Sequence, residues 1–356
     1  MNARVAAALL LLLALIGGGA LQYYQQRQSE KPPGAGTLGQ PLLKGLKAAD
    51  IASISIREPK AAITLQRKDA TWTIAERAGF PADLERVREL VVKSIELKIG
   101  QAEPIGPADR APLKVDDSGT RVEFKATDGK VIGNLLVGKK YFKSEPDNPD
   151  RAIGDGRFVL LPHEEKTVYV VSDPLVQATA RTAEWIARTG FAAEKVKTLE
   201  VSPPRGEGWK IERAAENTDW KLAGAKPAEK LEITKVNAAS YSLSSVELAD
   251  VASRDSRAED TGLDKPTVVT ASTFDALTYT LNIGTLEGDN YYATVALAGE
   301  PKPEGKDAEE RAKKLAARLP RERALAGHTL LIAKSKFEDI LKPRGELLAK
   351  KEGAKK

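Results

Sequence analysis

Residues 67–87, RKDATWTIAERAGFPADLERV, are echoed by residues 213–236, RAAENTDWKLAGAKPAEKLEITKV. In both, arginine and a polar turn lead to a tryptophan, and a proline precedes a run with helical spacing. Ahead of Arg67, IASISI (51–56) and AITLQR (62–67) alternate apolar and polar residues, the two-residue period of half-buried strands, and TWTIA continues the meander. Behind Pro81, Leu84, Val87, Leu90, Val91 and Ile95 recur at the spacing of an amphipathic helix, with Asp83 and Glu85 near its positive end.

The rest of each copy keeps the same order. TRVEFKATDGKVIGNLLVG (120–138) predicts a hairpin around Asp128-Gly129, and GDGRFVLLPHEEKTVYVV (154–171) predicts another across Pro162–Lys166. SDPLVQATARTAEWIA (172–187) reads as the start of a closing helix. In the second copy EKVKTLEV (194–201), WKIER (209–213), the helix region headed by Pro227, PTVVTASTFDALTYTLNIG (266–284), GDNYYATVAL (288–297) and HTLLIAKSKFEDIL (328–341) follow in register. The expected fold is therefore α+β: two tandem copies of a mainly antiparallel-sheet-plus-helix domain, residues 45–188 and 189–341. Trp72 and Trp220, each in an apolar–polar alternation just before the helix, are expected to be structural hubs, half-buried in the two cores.

The chain has 356 residues, 42% of them hydrophobic, ample for two cores, and no cysteine, which removes disulfides, thiolate metal sites and cysteine nucleophiles. After MNAR, the uncharged run Val5–Leu21 would span about 26 Å as a helix, close to the hydrocarbon thickness. It is a signal anchor or a signal peptide. Its length favours an anchor, residues 1–21, and the positive-inside bias places the rest on the exported side, the periplasm of a bacterial inner membrane. Residues 22–44, rich in Pro and Gly, read as a spacer. Much of the net charge of +5 lies in a basic tail, residues 342–356, with six basic residues against two acidic ones. With the body nearly neutral, nucleic-acid binding is not expected.

Motifs that carry chemistry come close and fail. GAGTLG (34–39) matches the dinucleotide fingerprint, but it sits among prolines in the spacer, without the strand and helix that the pyrophosphate site needs. GNLLVGKK (133–140) has Lys140 where the phosphate loop needs a hydroxyl, and both its last glycine and that of LNIG (281–284) read as strand ends. HEEKT (163–167) lacks the second histidine of the zinc-protease helix. His163 and His328 read as solvated or capping side chains, and Asp116-Asp117 and Glu164-Glu165 as loop charges. No catalytic residue, cofactor or metal ligand is assigned, and an enzyme is not expected.

The copies differ most at residues 298–327, an insertion where the first copy has only PHEEK. Within it Ala312, Leu315, Ala316 and Leu319 form a narrow apolar stripe on a charged helix. The stripe either docks on its own domain or binds a partner protein.

The anchor, the spacer and the tandem units carrying GLDKP (262–266), LNIG (281–284) and YYATV (291–295) resemble a bacterial membrane-anchored domain-of-unknown-function family often encoded beside gliding-motility-type ABC exporter components. The first copy departs from that pattern, with LKVDDSGT (113–120) in place of GLDKPTVV. The resemblance implies a non-enzymatic, periplasm-facing accessory or scaffold subunit of a membrane complex, associated with an ABC transporter and holding protein partners. The alternative is an envelope ligand-binding module for a glycan, lipid or peptide, with its cleft near Trp185–Phe191 between the repeats.

Overall fold

The computed structural model describes residues 36–145 and 148–349, with the main chain alone for residues 143–145 and 148–155. The expected anchor (1–21), most of the spacer and residues 350–356 lie outside the described residues. Among the described residues, no helix is long and apolar enough to cross a membrane.

The first copy contributes β1 (Ser53–Glu58), β2 (Ala61–Lys68), β3 (Thr71–Ile74), β4 (Phe80–Pro81), α1 (Leu84–Glu96), β5 (Ile99–Pro104), α2 (Pro107–Leu113), β6 (Thr120–Lys125), β7 (Val131–Glu145), β8 (Asn148–Leu160) and β9 (Thr167–Val171). The second contributes β10 (Val196–Ser202), β11 (Trp209–Glu212), β12 (Lys221–Leu222), α3 (Ile233–Tyr241), β13 (Leu248–Val251), α4 (Ala258–Thr261), β14 (Thr267–Thr273), β15 (Thr278–Glu287), β16 (Asn290–Ala298), α5 (Ala308–Ala324) and β17 (Leu330–Ala333). Antiparallel sheets dominate and helices are few, so the chain is α+β.

Compact units do not follow the repeat boundaries. Among the described residues, those up to Ala62 together with those between Glu85 and Ala180 form one unit, and Ile63–Leu84 with those from Arg181 onward form the other. In the first unit the strands run β1-β6-β7-β8-β9-β5; in the second they run β12-β11-β10-β14-β15-β16-β17-β13. The ribbon β2-β3-β4 lies in the second unit. There Asp83 N–H donates to Trp185 O at 2.7 Å, Ala187 N–H to Pro81 O at 3.1 Å and Arg254 N–H to Glu76 O at 3.2 Å. Arg77 also pairs with Asp250 at 3.6 Å, and Phe80 meets the His328 ring edge-on, centroids 5.1 Å apart.

Hairpins close where the turn chemistry places them. Gly129 adopts φ +81° in the β6–β7 turn and Asp128 Oδ1 accepts the Lys130 N–H at 2.9 Å, a local bond that fixes the reversal. α1 buries Val87, Leu90, Val91 and Ser94, whereas Leu84 is exposed. Pro81 ends β4, the helix starts at Leu84, and Ser94 holds the buried place on its face while Ile95 is half-buried.

Five expectations are corrected. No helix follows Ser172: Asp173 Oδ1 accepts the Leu175 N–H at 2.7 Å and Leu175 takes φ +46°, so Pro174 opens a turn and only a 3-10 turn, Thr182–Glu184, appears. After β17 the second copy likewise makes a 3-10 turn, Lys334–Lys336, with no α-helix. The spacer's last residues are docked rather than extended: Gly39 N–H donates to Ile99 O and Leu42 N–H to Leu97 O, and Leu42 and Leu43 are buried. The tail is docked to Ala349, with Leu347 fully buried and Arg344 bidentate on Glu229 at 2.6 and 2.8 Å. That pairing, with the Lys226 N–H, pulls the Glu229 carboxyl down to about 2.

Gly138 and Gly284 do not end strands either; β7 and β15 run past them. Each admits a crossing main chain. A Cβ on Gly138 would lie 2.5 Å from Leu113 O, and one on Gly284 would lie 2.1 Å from Thr261 O. The crossing segments are the ends of α2 and α4, an equivalence that the sequences of the two helices conceal.

Candidate functional site

The second unit carries a strap, residues 188–193, laid antiparallel on residues 243–248. Leu248 N–H donates to Arg188 O at 2.9 Å, Val246 N–H to Phe191 O at 2.9 Å and Ala193 N–H to Leu243 O at 2.8 Å. Gly190 permits the closest approach, since a Cβ there would lie 2.4 Å from Val246 O. A cleft of about 460 Å³ opens beside the strap, bounded by Arg188, Phe191, Val246, Arg318, Arg321 and Glu322.

α5 closes one side of this cleft, and the reason is visible in its sequence. Leu315 and Leu319, four apart, are 4% and 3% exposed within the unit, and Glu322, one turn on, is 5% exposed. A buried carboxylate is costly unless its oxygens are satisfied. Glu322 Oε2 accepts the Tyr279 O–H at 2.7 Å, Oε1 accepts the Ala192 N–H at 3.1 Å, and Arg318 Nε lies 3.3 Å from Oε1. Arg318 is held in turn by Glu194 at 2.9 Å and by Ala192 O at 2.7 Å. Burial, then the Glu322 carboxylate, pushes the Tyr279 hydroxyl pKa well above its ordinary value, so it stays a donor. Its ring stacks on Phe191 with centroids 5.8 Å apart. The network welds helix, strap and β15 together; it presents no free nucleophile or base to the cleft. Arg321 is exposed on the rim.

The residues singled out from sequence separate clearly. Of the stripe, Leu315 and Leu319 pack inward, Ala312 is half-buried and Ala316 is exposed. Trp220 is 6% exposed, donates Nε1–H to Asn237 Oδ1 at 3.2 Å and carries the Arg213 guanidinium 4.5 Å above its ring. Trp72, opposite Arg67 in the β2–β3 ladder, is half-buried. His163 is exposed beside Glu164 at 3.5 Å. His328 is half-buried, and desolvation lowers its pKa from 6.5. Asp116 accepts Ser118 N–H at 3.0 Å in a tight turn, and Glu164 and Glu165 diverge, to Tyr169 O–H and to Arg110 at 2.9 Å. Residues 133–140 lie wholly within β7, extended rather than looped.

Sequence reasoning missed Glu322 and Tyr279. Their only signal was a lone Glu on the apolar side of an amphipathic helix, which is visible in hindsight as the i+3 continuation of Leu319.

Residues 72–266, more than half of the chain, match the family described as Domain of unknown function (DUF4340). The chain belongs to the DUF4340 family. The DUF4340 match starts at Trp72 in the ribbon and ends at Pro266, just before β14, so it runs through both copies and stops short of Glu322 and α5. No curated protein and no solved structure matches the chain.

Proposed function

We propose that this DUF4340 chain is a non-enzymatic accessory or scaffold subunit of a bacterial envelope complex, tethered to the inner membrane by residues 1–21, with its units in the periplasm and an ABC-type exporter as its setting. One observation carries the reading. α5 is added to a repeated framework, is fastened by Leu315, Leu319 and Glu322, and turns Lys313, Lys314, Ala317, Pro320 and Arg321 outward. A helix so firmly attached and so charged outside suits recognition by another protein. The apolar run at the N-terminus and the family resemblance support the membrane setting.

The test uses the full chain with its anchor and the triple variant Lys313→Glu, Lys314→Glu, Arg321→Glu, all exposed positions. Native electrophoresis of solubilised membranes should show the chain in a larger assembly, and the variant should shift to the free form. An unshifted wild-type chain, or an assembly indifferent to the variant, would count against the proposal.

A second reading is a module that binds an envelope glycan, lipid or peptide. The 460 Å³ cleft at Arg188–Phe191 favours it, being of the size of small-ligand pockets. Retention of envelope extracts by immobilised wild-type protein and not by Arg321→Glu would support this reading, and equal retention by both would remove it.

A further inference from the structure

The two units expose the same face of the same hairpin to different surroundings. β6 and β7 pair Phe124 with Gly133; β14 and β15 pair Ala271 with Tyr279. Ile54 lies opposite Phe124 as Leu199 lies opposite Ala271. Gly133 therefore stands in the place of Tyr279; a bulge after Phe124 then sets Val131 opposite Lys125, as Thr278 is set opposite Ser272, and the strap register sets Leu43 in the place of Phe191. The straps correspond as well: Pro41 bridges Lys98 where Thr189 bridges Glu247.

In the second unit this face is covered. Leu277 is 1% exposed, Tyr279 stacks on Phe191, and α5 caps Tyr279 through Glu322. In the first unit the aromatic volume has moved one strand over. Phe124 is fully buried and leans toward Gly133, where a Cβ would meet its ring at 3.2 Å, and the insertion that supplies α5 is replaced by the short turn after Leu161. In the same place lies an open groove of about 360 Å³, bounded by Leu43, Ile99, Ile132 and Leu161 and edged by the polar Lys44, His163 and Glu164. Val131 on its rim is 45% exposed, and the Oδ1 of Asn134 in its wall is buried without a hydrogen bond.

We propose that this groove of the first unit receives an amphipathic helix from a protein partner, seated where the second unit holds α5. The inference rests on the accessory-subunit reading and names the surface used. The chain itself supplies the precedent for the occupant: α5, with two buried leucines four residues apart, is fastened to the matching strap and strand of the second unit through Glu322 and Arg318. The groove takes the side chains of such a helix, not its backbone. Val131 and Ile132 offer the apolar contact, and the vacant Asn134 acceptor selects a helix bearing a donor such as Lys, Arg or Ser near its leucines, in place of the Glu322 that answers Tyr279.

The experiment places photoreactive benzoylphenylalanine at Val131 of the full anchored chain, irradiates native membranes and sequences the cross-linked peptide. A second label at Tyr241, 60% exposed in the second unit, serves as reference. The Val131 adduct should map to one partner segment with leucines at i and i+4. Val131→Asp should reduce co-purification of that segment at least about tenfold with no change in melting temperature. Adducts with lipid or with the same chain, or none above the Tyr241 level, overturn the proposal. If a partner co-purifies yet cross-links elsewhere, the groove assignment falls while the accessory reading stands.

Discussion

Lys114 and Gly262 occupy the same position after α2 and α4, and both adopt the left-handed conformation, φ +54° and +70°. A side chain is disfavoured there by roughly 1 kcal/mol. Lys114→Gly should therefore stabilise the protein by about 0.5–1 kcal/mol. Gly262→Ala should destabilise it by about 1–3 kcal/mol, because its Cβ would lie 2.6 Å from Thr285 Cγ2 and 2.8 Å from Thr285 N. Chemical denaturation of the two variants decides the matter, and equal effects would refute the strain. LKVDDSGT and GLDKPTVV look unrelated as strings, yet they make the same turn. A left-handed lysine leaves no mark in a sequence, so this part of the repeat could not be read from composition.

His328 sets a pH dependence. Burial against Phe80 lowers its pKa from 6.5, and its Nδ1 is buried without a hydrogen bond. As pH falls, the unfolded chain takes up this proton before the folded one does. The stability is complete above pH 6.5, declines as pH drops below that value towards the folded pKa, and changes no further beneath it. His328→Gln should flatten the melting temperature between about pH 7.5 and 5.5; an unchanged slope in that variant would assign the dependence to other groups.

Among the elements, α5 depends on one buried charge. Glu322→Ala leaves the Ala192 N–H without its acceptor and Arg318 without the buried member of its two carboxylate partners, while the Tyr279 O–H falls back on Ala192 O at 3.0 Å; it should cost about 3 kcal/mol. Tyr279→Phe removes a single donor and should cost about 1 kcal/mol. Urea titrations that ranked the two variants in the opposite order would show that the carboxylate is not the centre of the network. The helix itself was legible, because Leu315 and Leu319 announce a face. Which surface that face meets was not, since Tyr279 is 43 residues away from its acceptor in sequence. The paired hairpins were legible for a related reason: alternation and an Asp-Gly turn are local signals. The straps at residues 39–42 and 188–193 were missed because main-chain hydrogen bonds hold them, and such bonds are blind to side-chain type. The long β7–β8 ladder, paired out to Glu145 and Asn148, was missed because KKYFKSEPDNPDRAIGDG has no alternation to report.

At the scale of the molecule, the repeat suggested two consecutive domains, and the compact units instead assign the ribbon Ile63–Leu84 to the second. The second copy expressed alone, residues 189–349, lacks Phe80 beside His328 and the main-chain partner of Arg254. It should give a broad, weakly cooperative thermal transition with poor near-ultraviolet dichroism. A sharp melt at the full-length temperature would show that the ribbon is dispensable. Sequence similarity between copies records descent of a local pattern, whereas allegiance to a core is decided by contacts that no local pattern encodes.

The borrowed ribbon also imposes an order on biogenesis. Residues 63–84 are made long before Leu330, whose strand completes the sheet beside His328. At roughly 5–20 residues per second, the interval is about 12–50 seconds. Throughout it Ile63, Leu65, Ile74 and Phe80, all fully or almost fully buried at the end, have no finished core to enter. The ribbon cannot mature with the unit made around it, which is complete by Ala180; it waits for the strands of the second unit.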